Sequence, residues 1–337
     1  MSTREAIKVD YRKELLSYIN EPVNQYPLFK GEQLRRRIVE EGISPEVMVQ
    51  WHKSVLLESF PDTRSEVLES FGFLLNMMEE YQEAYREALS LRYLQKEFRT
   101  EMEIAANMQN TLLETKIPTI PELEIGAISI PAKHMNGDYY HFVQDDNGCI
   151  GFGIADVIGN GIPAALCMSM IKYAMDSIQE SHHLPSGILK ALNRVVEQNV
   201  DDSMFISMFY GLYNPLTNCL SYASAGHEPG IYYDAAKGQF EELYAKGLLL
   251  GVDKNTEYIQ MEKQVQIGDV IILMTDGVTE CRTEEGFIER GYLIDSIRQH
   301  IHLHPRQIVV NVFKHLERLQ HFQLRDDFTL IILKRKA

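Results

Sequence analysis

Cysteine is scarce in this chain and is never paired in sequence. The four thiols, Cys149, Cys167, Cys219 and Cys281, lie far apart and form no CxxC motif. That argues against a zinc site or a disulfide framework and for reduced thiols in a cytoplasmic protein. No apolar run approaches the roughly 18 residues a membrane span requires. The opening MSTREAIKVDYRKELL is charged throughout and has no apolar signal-peptide core. Basic residues are in deficit, 33 Lys plus Arg against 48 Asp plus Glu for a net charge of −15, so a basic face for nucleic acid is not expected. Internal repeats and low-complexity segments are missing too. Such a balance suits a soluble protein with carboxylate-rich metal sites.

What is present divides into three stretches. With 337 residues, 45% of them apolar, the chain can fill two cores. Residues 1–80 read as all-helical. Ile7, Tyr11, Leu15, Leu16 and Ile19 make one stripe, which Pro22 and Pro27 interrupt. Leu34 and Ile38 begin another that Gly42 stops. Ser44-Pro45-Glu46 reads as an N-cap with proline in the first turn, opening a helix through Trp51, Val55 and Leu56 that Pro61 breaks. Val67 to Met78 is a further helix, and the whole reads as a small interaction domain. Residues 81–120 form a linker: from Tyr81 to Lys116 there is neither Gly nor Pro. Heptad a positions Ala84, Leu91, Phe98, Ala105 and Leu112 are apolar. The d positions Glu87, Leu94, Glu101 and Met108 alternate with charge, so the stretch is either a spacer helix or a weak coiled coil. Ile117-Pro118 and Pro121 end it.

Residues 121–337 change pattern. LEIGAISIPA alternates as a strand, and HFVQDDNGCIGFGIADV reads as a hairpin turning at Asp145–Gly148. Helices follow from Gly161 to about Glu180 and from Pro185 to Val200. MFISMFYGLYN, CLSYASAG, GIYYDAA, FEELY and DVIILMTDG read as strands. Helices near Tyr292–His300 and Pro305–Leu319 precede a closing strand, DFTLIILKR. Strands joined by hairpins, with helices in separate blocks, predict an α+β layered sandwich rather than a doubly wound parallel sheet.

The chemistry gathers where strands end beside glycines. Asp138 follows Gly137; Asp156 precedes Gly159 and Gly161; Asp276 precedes Gly277; Asp326 and Asp327 are adjacent. An isolated Asp at a strand end is most often a turn or cap residue. Several of them, with no His or Cys metal pair, point to a hard cation such as Mg²⁺ or Mn²⁺. Two such ions can share a carboxylate and a water and bind phosphoryl oxygens, which makes phosphate-ester hydrolysis the leading chemistry.

GDYY at 137–140, ADVIGNG at 155–161, SAGHEP at 224–229, TDGVTE at 275–280 and DDFTLI at 326–331 occur in the order of the PP2C-type (PPM) serine/threonine phosphatases of the bacterial SpoIIE subfamily. The resemblance runs from about Glu122 to the C-terminus. It implies an α/β/β/α sandwich with two Mn²⁺ or Mg²⁺ ions. Asp156 resembles the carboxylate that bridges both, with the Val157 carbonyl completing one site. Asp138 resembles the residue that holds the second ion through waters, and Asp276 and Asp326 those that hold the first. Asp327 stands behind them, in an assignment that could be reversed with Asp326. A water made hydroxide-like between the ions would attack phosphorus in line with the departing serine oxygen.

His227 reads as a hydrogen-bonded support rather than a general acid, and His134 and His141 as surface residues. Asn136 stands where many relatives have glycine, and Asn160 where another polar residue is common. The phosphate-binding arginine of eukaryotic relatives has no counterpart in the motifs. The resemblance further implies a phosphorylated anti-sigma-factor antagonist (RsbV type) as substrate and an RsbT-type switch kinase as activator at residues 1–80. It implies a homodimer, with neither nucleic acid nor membrane as partner. A degenerate scaffold would have lost a cage carboxylate, and none is missing. A carboxylate-metal nuclease would need a basic groove.

Overall fold

A computed structural model describes residues 3–20, 32–159, 161–178, 184–200, 204–283, 286–287, 290–320, 322 and 324–336. The expected breaks at Pro22 and Pro27, Asn160 and the end of the helix read to Glu180 lie outside them. The chain divides into two compact units, Met1–Arg99 and Thr100–Ala337.

The first unit is helical: α1 Thr3–Asn20, α2 Glu32–Glu40, α3 Pro45–Ser59 and the greater part of α4, Ser65–Leu112. Ile7, Ile38, Ile43 and Trp51 form its small core. Gly42 ends α2 at φ +60. There the Ile43 N–H reaches the Ile38 carbonyl and the Gly42 N–H reaches Val39, the paired bonds of a Schellman stop, in which glycine escapes the Cβ penalty of a left-handed residue. Ser44 precedes α3, but its side chain caps no backbone N–H; its hydroxyl bonds to Glu46 instead. The helices read at 67–78 and 81–116 are one helix of 48 residues, because Glu79 and Glu80 between them break nothing. It stops at Leu112 rather than Lys116, and the Thr115 hydroxyl then bonds to the Tyr140 carbonyl.

The second unit holds two five-stranded antiparallel sheets. One has the order β1 (Leu123–Ile130), β12 (Phe328–Arg335), β9 (Val270–Met274), β6 (Gly230–Asp234), β7 (Gln239–Leu243). The other has the order β2 (Asp138–Gln144), β3 (Ile150–Val157), β4 (Ile206–Asn214), β5 (Cys219–Ala225), β8 (Met261–Gln264). Alternate residues of each strand point inward, so Ile125, Phe152, Phe209, Leu273 and Ile331 build one core between the sheets. The outward faces are covered by helices. Met168, Ile171, Leu189 and Leu192 of α5 (Ile162–Ser177) and α6 (Pro185–Asn199) share a cluster with Tyr139, Ala155 and Met208. Leu293, Ile297, Ile308 and Val312 of α8 (Arg290–His300) and α9 (Pro305–Leu319) share one with Ile272 and Leu330. This is the expected α/β/β/α sandwich. Three small features were not anticipated: β8, the two-residue pair β10–β11 (Arg282–Thr283, Gly286–Phe287), and the helical turn α7 (Asp276–Thr279), which replaces the end of a strand.

Candidate active site

Strand ends gather the carboxylates. β2 begins at Asp138 and β3 closes with Asp156-Val157, and antiparallel register sets Asp138 opposite Asp156. Cross-strand partners lie side by side on one face, so two like charges are forced together. In the other sheet β9 ends at Met274, Asp276 opens α7, and Asp326-Asp327 immediately precede β12.

Asp138 is 3% exposed. Burial first, and then the Asp156 charge, hold its carboxyl well above the usual carboxylate range. One oxygen accepts the Thr275 hydroxyl at 2.7 Å, and Thr275 Oγ1 in turn accepts the Thr329 N–H at 3.1 Å. Asp156 is pushed up to about 7 by burial and by the charges of Asp276, Asp326 and Asp327. Asp276 rises to about 6 by burial and the Asp326 charge. Asp327 is occupied differently: its two oxygens accept the Ala132 N–H at 2.7 Å and the Gly137 N–H at 2.5 Å. Among the described residues, the Asp326 side chain accepts only the N–H of its neighbour Asp327. Gly137 in turn gives its carbonyl to the Val157 N–H at 3.3 Å, which ties the starts and ends of β2 and β3 together.

Asp156, Val157, Gly159, Asp276, Asp326 and Asp327 line one pocket of about 260 Å³, with Lys133 and Arg325 also on its wall. Neither cation belongs to the acidic motifs: Arg325 directly precedes Asp326, and Lys133 lies in the bend that leads to Gly137-Asp138. Gly159 (φ +139) and Gly161 (φ +76) carry the chain out of the site in conformations that other residues avoid. Gly277 meets the carbonyl of Asp327 so closely that an added Cβ would sit 2.0 Å from the oxygen.

His227 bridges the two sheets. Its Nε2 donates to the Met274 carbonyl at 3.1 Å, which leaves Nδ1 to accept the Ser207 hydroxyl at 2.8 Å; Ser207 is the register partner of Asp156. Desolvation lowers its pKa to about 4, so the ring is neutral at physiological pH. His134 is exposed as expected. His141 is not a surface residue: it is 6% exposed, because it shares the outward face of β2 with Tyr139, under α5. Its Nδ1 meets the Tyr139 hydroxyl at 2.8 Å.

The acidic side chains at the pocket offer only oxygens, and neighbouring carboxylates raise the pKa of Asp156 and Asp276, so a hard divalent cation fits this set better than zinc. Among the described residues no three His, Cys, Asp or Glu side chains close tightly round a single point. All four cysteines are free thiols, two of them buried. Among the described residues no helix is long and apolar enough to cross a membrane.

The family model for stage II sporulation protein E (SpoIIE) matches residues 146–336. The chain belongs to the SpoIIE family. A second model, the N-terminal domain of the phosphoserine phosphatase RsbU, matches residues 9–84. Over 337 residues, all of both chains, the sequence is 51% identical to the phosphoserine phosphatase RsbU of Bacillus subtilis. Phosphoserine phosphatase RsbP of the same organism is 25% identical over 59% of this chain and 49% of its own length. The SiaA PP2C domain of Pseudomonas aeruginosa has the same fold (TM-score 0.61, 21% identity, 72% of this chain and 99% of that one). So do the RsbU and RsbW domains of a Mycobacterium tuberculosis protein (TM-score 0.57, 22% identity, 67% and 62%). The chain is a PP2C-type serine phosphatase of the RsbU type, an enzyme of a metal-dependent class.

Proposed function

We propose that this phosphatase removes phosphate from a phosphoserine or phosphothreonine of an anti-sigma-factor antagonist of the RsbV type, and so frees a general stress sigma factor. One observation carries the catalytic part of this reading: Asp156, Asp276 and Asp326 converge on one pocket, with Asp138 paired to Asp156 across two strands. Two Mn²⁺ or Mg²⁺ ions, when bound there, supply positive charge for phosphoryl oxygens and acidify water toward neutral pH.

The chain's own residues do the rest. Asp156 would serve both ions, with the Val157 carbonyl completing one site; Asp276 and Asp326 would hold one ion and Asp138 the other. Ionised Asp156 and Asp276 are required, so loading the site must displace the protons that mutual repulsion and burial favour. Thr275 keeps Asp138 in one rotamer. Asp327 fixes the loop at Ala132 and Gly137, which supports assigning the direct contact to Asp326. Lys133 and Arg325 offer the phosphoprotein two cations at the pocket wall. Neutral His227, with both nitrogens engaged, holds β9 against β4 and is not the proton donor. Water adds to phosphorus, the P–O bond to serine breaks, the serine oxygen takes up a proton, and inorganic phosphate leaves.

Residues 1–80 take an RsbT-type switch kinase as activator in this reading, in keeping with the match to an RsbU N-terminal domain. Leu91, Leu94, Phe98 and Met108 stand exposed along α4, a stripe suited to pairing with a second copy as a coiled coil. Activator binding then shifts the helices at 161–200 so that Asp156 and Asp276 complete one metal site, giving weak Mn²⁺ binding alone and tighter binding with activator. The test is hydrolysis of a phosphoserine antagonist protein in Mn²⁺, with and without activator, for wild type and Asp276→Asn. Activity that needs Mn²⁺, rises with activator and vanishes in the variant supports the reading. A wild type that binds both proteins yet hydrolyses nothing would replace it with a scaffold role.

A further inference from the structure

Gln109 is 3% exposed, although it stands near the end of α4 beside a small apolar cluster of Met102, Ala105, Ala106, Met135 and Ala165. A buried amide is costly unless both ends are bonded. Both ends of this one go to a single residue. Gln109 Oε1 accepts the Asn136 backbone N–H at 3.0 Å, and Nε2 donates to the Asn136 carbonyl at 2.6 Å. The side chain thus treats Asn136 as a neighbouring strand would. Because Asn136 offers one donor and one acceptor, the orientation of the Gln109 amide follows.

Asn136 passes the constraint on. Its Oδ1 accepts the Asp138 N–H at 3.0 Å, and its Nδ2 donates to Ser129 Oγ at 2.7 Å. Ser129 Oγ lies 2.8 Å from Thr329 Oγ1. The Thr329 N–H then bonds to Thr275 Oγ1, the hydroxyl that grips the Asp138 carboxylate. Asp138 is therefore held at its backbone and at its carboxylate by one network, and Asn136 is the residue both branches share. A glycine at 136 would supply neither side-chain bond.

Resting on the metal-site reading above, we propose that Gln109 and Asn136 are a positioning pair for Asp138: the last turns of α4 hold this ligand in the geometry that takes up the second cation. Neither residue touches substrate or the carboxylate itself. Outer partners of metal ligands commonly account for 10–100-fold in metal affinity, and that is the quantity to read.

The experiment is calorimetric titration of full-length protein with Mn²⁺, with circular dichroism to confirm folding, for wild type, Gln109→Leu, Asn136→Gly, the double variant and Asp156→Asn. Each single variant is expected to weaken Mn²⁺ binding about tenfold, and the double variant no more than the worse single, since both break one path. Backbone hydrogen exchange at 136–138 should quicken in both. Folded variants that bind Mn²⁺ as tightly as wild type overturn the pair, whatever their thermal midpoints. Should Gln109→Leu not fold, Asn136→Gly reads the same path from its other end. If instead wild type and Asp156→Asn bind Mn²⁺ alike, the metal-site reading itself fails and the positioning pair with it.

Discussion

The Asp327 carboxylate reaches back 190 residues along the chain to accept the Gly137 N–H at 2.5 Å. With its second bond, to Ala132, it closes the loop that leads into Asp138. Asp327→Ala should leave both N–H groups unpaired and cost roughly 2–4 kcal/mol of stability, seen in urea unfolding. Asp326→Ala should leave stability nearly unchanged and abolish phosphatase activity. The reverse pattern would make Asp327 the direct metal contact.

Gly277→Ala tests the close approach on the other side of the pocket. Its Cβ would lie 2.0 Å from the Asp327 carbonyl oxygen, so backbone carrying Asp276 or Asp327 must move. A shift of about 1 Å is enough to lower turnover on the order of 100-fold. Wild-type rates in this variant would show that the two segments are not coupled.

His227 contributes a pH dependence whose sign follows from its neutral state. Its folded pKa is lowered to about 4, below the roughly 6.5 of an unfolded histidine. Between those values the unfolded chain binds the extra proton, so stability present above pH 6.5 is lost as pH falls toward 4, by about 3 kcal/mol in all. Asp156 and Asp276, with raised pKa values, act in the opposite direction over pH 4–7. The clean measurement is therefore the difference between wild type and His227→Gln in urea unfolding at pH 7.5 and 5.5. The gap should narrow at the lower pH; a constant gap would mean that the ring takes up its proton as readily in the fold as in the unfolded chain.

Lys133→Ala and Arg325→Ala should each raise KM for a phosphoprotein substrate about tenfold, the loss of one charge-assisted contact, with kcat within about twofold. Loss of kcat at unchanged KM would place these cations in the transition state instead.

Leu94→Glu puts a charge into the exposed stripe of α4. Sedimentation should show a shift from dimer to monomer, and activation by the switch partner should fall while basal hydrolysis persists. Unchanged association and unchanged activation would leave α4 a spacer.

The order of strands and helices and the five acidic motifs were legible in the sequence, for physical reasons. Alternation at period two marks half-buried strands such as Leu123–Ile130, and glycines such as Gly137 and Gly277 stand where another segment meets the backbone closely. Strands of two to four residues, as at Met261–Gln264 and Arg282–Thr283, are too short to show alternation and were missed. His141 was misread because its burial depends on α5 lying over β2, a contact no local pattern announces. The sequence by itself determined the aspartates placed beside glycines at strand ends, the surplus of negative charge and the family. Only the tertiary structure decided that the Asp327 carboxylate takes the N–H groups of Ala132 and Gly137, and that Lys133 and Arg325 share the pocket wall with Asp156. It alone showed Gln109 on Asn136. Each of these rests on groups meeting from distant parts of the chain, where packing and the need to satisfy buried polar atoms choose the partner and residue type does not.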